Sequence, residues 1–210
     1  MQVIDCGVMD FQDAFLLQER LVAGIAEGSE PETMLLMEHP CVYTIGAGGN
    51  SANLLDPEIA LLRTNRGGDI TWHGPGQLVG YPLVNLGARG RDLHCLLRFI
   101  EELLIRTVAE FGVEAWRVPG KTGVWAARGK LASIGVGVRR WVSMHGFALN
   151  VDPDLAPFTR INPCGMPGCP VTSLLLESRD APSLPEVKRM VKTMFLELLD
   201  DRLPVTGKAR

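Results

Sequence analysis

The sequence predicts an α/β (α+β) domain, a mixed β-sheet flanked by helices, and three observations carry that prediction. Apolar residues recur at helical spacing near both ends of the chain and once in its middle. Between those stretches lie short runs rich in Val, Ile, Leu and Thr, punctuated by Gly and Pro. Hydrophobic residues make up 46% and charged residues 21% of the 210 positions, the balance of a globular protein with a sizeable core. Length, together with the absence of repeats or a linker, predicts a single domain over 1–210.

Taken in order, the first helix runs from Phe11 to Ile25 on a Phe11, Phe15, Val22, Ile25 stripe, with Asp10 placed to cap it. Thr33 to His39 and Cys41 to Gly46 read as short buried strands around Pro40, and Gly46 to Leu55 as a glycine-rich loop. Gly68 to Leu86 reads as strand, tight loop, strand. Asp92 to Phe111 is the longest helical pattern, with Asp92 as its N-cap. Gly123 to Ala127, Lys130 to Val138 and Trp141 to Val151 read as strands, the first two joined by a turn at Arg128 to Lys130. Ser183 and Glu186 form a capping box that opens a last helix to about Asp200, and Arg202 to Arg210 reads as a frayed tail.

Composition excludes several classes of function. A formal net charge of −3, with no strongly basic segment, excludes a nucleic-acid backbone as partner. Cys95 to Ile105, the most apolar helical stretch, is broken by Arg98, Glu101 and Glu102, so no membrane span is predicted. The N-terminus shows no basic region leading into an apolar run, and the expected location is the cytoplasm. Five scattered cysteines in such a chain argue against a disulfide framework.

Four segments concentrate residues able to do chemistry. Arg66 to Gln77 packs four glycines and a proline around Arg66, Asp69 and His73; it reads as a ligand-contacting loop or a tight hairpin, and matches neither phosphate-binding fingerprint. Lys130 opens an apolar strand with the small Ser133 and Gly135, and matters only if a group that benefits from positive charge lies nearby. His145 beside Gly146 reads as a hydrogen-bonded structural histidine or a base. The fourth segment, Ile161 to Ser173 (INPCGMPGCPVTS), holds Cys164 and Cys169. No second Cys or His pair at finger-like spacing accompanies them, so no metal is expected. A thiolate is the nucleophilic form of cysteine, and an ammonium or N–H donors nearby favour it. Pro163 and Gly165 leave the backbone around Cys164 free to serve as an oxyanion hole, which makes Cys164 the better-placed nucleophile of the two.

Three of these segments, RGGDITWHGPGQLVGYPLVNL, GKLASIGVGVRRWVSMHGFALNV and INPCGMPGCPVTSL, occur in an order that closely resembles the lipoyl(octanoyl) transferases, and EHPCVYTIG upstream is similar to that family too. The resemblance spans about Met34 to Leu174 and implies the catalytic-domain fold of the biotin and lipoate ligases. It implies transfer of an octanoyl group from octanoyl-acyl carrier protein to one lysine of a lipoyl domain. The acceptors would be 2-oxoacid dehydrogenase subunits and the glycine cleavage H protein. Transfer would pass through a thioester on Cys164, with Lys130 completing a Cys/Lys dyad, and with no cofactor and no metal. The family's substrate-binding segments fall on Arg66, Gly67, Gly68, Asp69, Ile70, Thr71, Trp72 and His73, on Ser133, Ile134 and Gly135, and on Gly146, Phe147 and Ala148.

The sequence departs from the family pattern at Trp72, where tyrosine is more usual, at Ala47 and at the extra thiol Cys169, and the first two are expected to reshape the acyl pocket. Rival readings are an ATP-dependent lipoate or biotin ligase, an inactive relative that only holds its partners, and a cysteine hydrolase using His73 or His145 as base. Arg139, Arg140, Lys188, Arg189 and Lys192 are candidates to meet an acidic carrier. A monomer is expected.

Overall fold

A computed structural model describes residues 1–206. In chain order its elements are β1 (Gln2–Val8), α1 (Phe11–Glu27), β2 (Thr33–Glu38), β3 (Val42–Ile45), β4 (Leu61–Arg63), β5 (Thr71–His73), β6 (Gln77–Leu83), α2 (Leu93–Ala109), β7 (Trp116–Val118), β8 (Lys121–Ala126), β9 (Gly129–Arg139), β10 (Val142–Asn150), α3 (Leu174–Glu177) and α4 (Leu184–Arg202). Seven strands form one sheet in the order β1-β2-β6-β10-β9-β8-β7, parallel only between β1 and β2. This is the mixed sheet with flanking helices that the sequence predicts. A second, three-stranded sheet, β4-β3-β5, stands apart from it and amends the expectation of a single sheet.

Strand alternation explains the layering. Met34 and Leu36 of β2 face α2 and α4, while Leu35 and Met37 face α1, and all four are at most 2% exposed. A strand covered on both faces reads as a continuous apolar run, which is what TMLLME is. Phe99 of α2 meets Phe195 of α4 at 5.7 Å between ring centroids, and each such buried side chain contributes about 1.5–3 kcal/mol.

The expected caps are present. Asp10 accepts from the Gln12 N–H at 2.7 Å, Asp92 from the Cys95 N–H at 3.0 Å, and Glu186 from the Ser183 N–H at 2.9 Å. The turn between β8 and β9 is tighter than expected. Ala126 pairs with Gly129, so Ala127 and Arg128 make the turn and Lys130 already belongs to the strand. Edge strands β1, β4 and β7 have too little apolar alternation to be read from sequence and are held by their main-chain ladders. No helix among the described residues is long and apolar enough to cross a membrane.

The expected frayed tail is pinned where it is described. Leu203 is 1% exposed, and Thr206 donates its N–H to the Ala88 carbonyl at 2.8 Å. Residues 207–210 of that tail lie outside the described residues. Arg89 is the clasp: its buried guanidinium donates to Glu32 at 2.8 Å through Nε, to Asp200 at 2.9 Å, and to the Leu203 carbonyl. Removing the guanidinium leaves the Leu203 carbonyl and the partly buried Glu32 without their donor, so Arg89→Ala is expected to cost about 1–3 kcal/mol, read as a lower urea midpoint with an unchanged slope.

Candidate active site

The cysteine loop and the start of β9 are tied together by main chain. Lys130 N–H donates to the Pro170 carbonyl at 2.8 Å, and the Lys130 carbonyl accepts from Thr172 N–H at 3.0 Å. Gly129 makes this approach possible: it sits at φ +152°, and a Cβ there would lie 2.5 Å from the Pro170 oxygen. Gly123 of the neighbouring strand, at φ +132°, makes room for the lysine side chain, since a Cβ would lie 2.8 Å from Lys130 Cε. Cys164 is fixed from the other side, its N–H donating to the Ile70 carbonyl at 2.9 Å. Its backbone is left-handed, at φ 56° and ψ 29°, a conformation that costs a non-glycine residue energy and recurs at functional sites.

These constraints bring Lys130 Nζ to 2.9 Å from Cys164 Sγ, with Ser133 Oγ at 3.9 Å from the same sulfur. Lys130 is 2% exposed, and its Nζ also lies 5.1 Å from the centre of the Trp125 ring. Among the described residues it makes no ion pair with a carboxylate. A buried ammonium needs a partner, and the sulfur is the group in place to be one. Cys169 is different in kind: half-buried and hydrogen-bonded at most to the Pro170 carbonyl at 3.7 Å, its thiol is pushed up by burial. All five cysteines are free.

Cys164 opens onto a cavity of about 270 Å³ between the large sheet and the β5 segment. Ser133, Ile134 and Gly135 of β9 and Gly146, Phe147 and Ala148 of β10 form one wall. These strands pair in register, Ser133 with Ala148 and Gly135 with Gly146, so two distant segments become one surface. Arg66, Gly68, Asp69, Thr71 and His73 form the opposite wall. Ile70, Trp72 and Gly67 of the same expected set do not line it. Strand alternation turns Ile70 and Trp72 away into a separate apolar cluster with Ile45, Phe158 and Ile161, while Gly67 donates its N–H to Val136 at 2.8 Å. The Trp72 ring meets Phe158 edge-on at 5.4 Å, so the expected reshaping of the pocket by Trp72 does not occur; Ala47 does not line the cavity either.

Sequence reasoning missed part of the wall. Gly120, Lys121 and Thr122 border the cavity at its exposed end because they belong to the unread β7–β8 hairpin. Phe11 and Tyr81, together with the already singled-out His145, close its buried end; no local pattern signals that a first-turn helix residue reaches that far. His145 lies opposite Val136 at φ +56°, its Nε2–H donating to Asn65 Oδ1 at 2.6 Å. His39 Nδ1–H donates to the Met9 carbonyl at 2.7 Å, leaving Nε2 to accept from Tyr81 O–H at 2.8 Å. His73 Nδ1–H donates to Gln77 at 3.2 Å.

Burial keeps these imidazoles neutral. It holds His73 well below the ordinary histidine value, with His39 and Arg66 adding to the effect, and pushes His145 down to about 4, helped by the charge of Arg66. Burial also pushes the Tyr81 phenol up. No group of three or more His, Cys, Asp or Glu side chains among the described residues is arranged to hold a metal ion. Of the candidate cations for a carrier, Arg139, Arg140 and Lys188 form ion pairs within the chain, to Glu19, Glu27 and Asp5.

Residues 10–196 match the family model for the lipoyl protein ligase A/B catalytic domain. The chain is 61% identical over 205 residues to a protein named octanoyltransferase from Geotalea uraniireducens, covering 98% of this chain and 96% of that one. It is 60% identical to one of the same name from Geobacter metallireducens, covering 97% and 96%. A bi-partite lipoate protein ligase from Thermoplasma acidophilum is similar in structure at a TM-score of 0.69 and 15% identity, covering 94% of this chain and 82% of that one. The biotin protein ligase from Aquifex aeolicus with biotin and ATP matches at 0.60 and 14%, covering 96% and 72%. At such identities the two solved structures share the fold alone.

Proposed function

Since the chain belongs to the lipoyl protein ligase A/B catalytic-domain family, we propose that it is an acyltransferase that moves an octanoyl group through a thioester on Cys164. The donor is octanoyl-acyl carrier protein. The acceptor is the ε-amine of one lysine on a lipoyl domain, of a 2-oxoacid dehydrogenase subunit or of the glycine cleavage H protein. The protein acts as a cytoplasmic monomer. The name its relatives carry supports octanoyl as the cargo. The observation that carries the reading is the 2.9 Å contact between a buried lysine without a carboxylate and a cysteine facing a short-chain-sized cavity.

The chemistry follows from that pair. Lys130 holds the proton of the Cys164 thiol, leaving sulfur as the nucleophile. Sulfur attacks the thioester carbonyl, the bond from that carbon to the carrier sulfur breaks, and the carrier thiolate takes a proton from Lys130. The neutral Lys130 then receives a proton from the incoming amine as its nitrogen attacks the acyl carbon. The carbon bond to Cys164 breaks, and thiolate and ammonium are restored. Thioester exchange is nearly isoenergetic, and amide formation drives the second half. The oxyanion hole expected from the backbone around Cys164 is not free, because the N–H groups of Cys164, Gly165 and Met166 already donate to the Ile70, Asn162 and Pro163 carbonyls. Ser133 Oγ, 3.9 Å from the sulfur, is the side-chain donor beside the reacting carbonyl.

Mixing the protein with octanoyl-acyl carrier protein alone is expected to give one octanoyl adduct on Cys164 by intact mass and peptide mapping. Adding a lipoyl domain is expected to discharge that adduct onto the lysine without ATP. An ATP requirement for transfer would move the reading to a ligase. Release of free octanoate as fast as the adduct decays, with no amine present, would move it to a hydrolase.

A further inference from the structure

The cavity is open at one end and stopped at the other. At the open end lie Cys164, half-exposed Met166 and the exposed β7–β8 turn. At the stopped end Phe11 is 4% exposed and His145 1% exposed. The Phe11 ring lies parallel to His73 at 6.1 Å and to His145 at 6.4 Å, tilted 16° from each. Behind it are two further hollows. One, of about 290 Å³, is bounded by Phe15, Leu16 and Leu62; the other lies against Tyr43 and Leu61. Phe11 borders all three spaces.

Strand geometry gives the distance from the sulfur to the His145 side of that wall. Ser133 marks the sulfur end, at 3.9 Å from Sγ, and the His145 ring lies over Gly137, with Cδ2 3.6 Å from where a Gly137 Cβ would stand. Four residues of β9 separate the two, roughly 13 Å at about 3.3 Å per residue. That is the reach of an eight-carbon acyl group on the sulfur, its terminal methyl included. A longer chain would drive into the Phe11 ring.

We propose that Phe11 is the specificity-determining end wall of the acyl cavity, a partition whose ring, braced by His73 and His145, sets the longest chain the enzyme accepts. The inference rests on the acyl-transfer reading and adds to it a residue and a length limit. His73 and His145 serve here as neutral braces: burial disfavours the charged imidazole, and the charge of Arg66 on the same wall disfavours it further. Phe11 itself is held by its position as the first residue of α1, directly after the Asp10 cap.

The test is a chain-length profile of Cys164 adduct formation with hexanoyl-, octanoyl-, decanoyl-, dodecanoyl- and palmitoyl-acyl carrier protein. The unmutated protein is expected to react fast up to eight carbons and progressively more slowly from ten carbons on. Phe11→Leu and Phe11→Ala join the acyl cavity to the hollow behind it. Their dodecanoyl-to-octanoyl rate ratio is expected to rise about tenfold or more, the scale of discrimination an apolar wall gives. Phe11→Trp is expected to shift the limit to shorter chains. Phe11→Leu is the conservative variant if Phe11→Ala does not fold. An unmutated protein that takes palmitoyl as fast as octanoyl has no end wall there, and a Phe11→Leu profile superimposable on the parent's would place the wall elsewhere; either overturns the proposal. If the unmutated protein forms no adduct with any donor, the acyl-transfer reading fails first and takes this inference with it.

Discussion

Cys164→Ser is expected to abolish acyl transfer, whereas Cys169→Ser is expected to leave it near the parent level. The two thiols are five residues apart in one loop, so composition cannot separate them. The structure does, by three physical differences. Cys164 has a lysine amine at 2.9 Å and a hydroxyl at 3.9 Å, and it faces the cavity; Cys169 has a single weak carbonyl contact and a thiol pushed up by burial. Serine preserves the shape of Cys164 but replaces sulfur by a hydroxyl, a far weaker nucleophile at neutral pH and a poor leaving group. The loss is expected to be on the order of 10⁴-fold or more, the scale seen when a covalent nucleophile is removed. The check is twofold: intact mass after octanoyl-carrier treatment, and octanoylation of a lipoyl domain. An adduct that survives Cys164→Ser, or one lost in Cys169→Ser, would assign the wrong cysteine.

The parts of this molecule that could be read from sequence are those whose signals are local. Asp10, Asp92 and Ser183 announce three helix starts because a cap needs one side chain and the following turn. β2 and β10 are central strands buried on both faces, and β9 shows apolar alternation because one of its faces packs in the core while the other lines the cavity. Edge strands β1 and β7 owe their existence to a neighbour's free main-chain groups, and nothing in QVIDCGV or WRV encodes that neighbour. The site divides along the same line. Arg66 to His73 is recognisable as a motif, yet which of its side chains face the cavity depends on strand phase, and Ile70 and Trp72 fall on the far side. Lys130 is an ordinary lysine until Gly123, Gly129 and the Pro170 to Thr172 segment close around it. Phe11 is an unremarkable helix residue until three hollows meet at its ring.

Lys130→Met is the substitution that separates a dyad from a structural lysine. Methionine approximates the buried stem of lysine and removes only the amine; the partner left behind is a thiol that can keep its own proton, so no buried charge is stranded. The variant is therefore expected to fold with a thermal midpoint at or above the parent's. Its transfer activity is expected to fall by about 10²–10⁴-fold, the range for loss of a positioned proton donor and acceptor. Activity alone would not distinguish a misplaced loop from a missing amine, so a second readout is needed. Alkylation of Cys164 by iodoacetamide at neutral pH is expected to slow sharply in Lys130→Met, because the group that takes the thiol proton is gone. Alkaline pH should restore alkylation, since hydroxide can replace the amine in that first proton transfer. Restoring the second half-reaction is harder, because the incoming lysine must lose its proton inside the cavity with no base at 2.9 Å from the sulfur. Alkaline rescue is thus expected for adduct formation and only weakly for discharge onto the lipoyl domain. Lys130→Arg keeps the charge but replaces a compact ammonium by a guanidinium that does not give up its proton, and it should fail most severely in that second half. A Lys130→Met protein that alkylates and transfers at parental rates would leave Cys164 without its partner and end the dyad account.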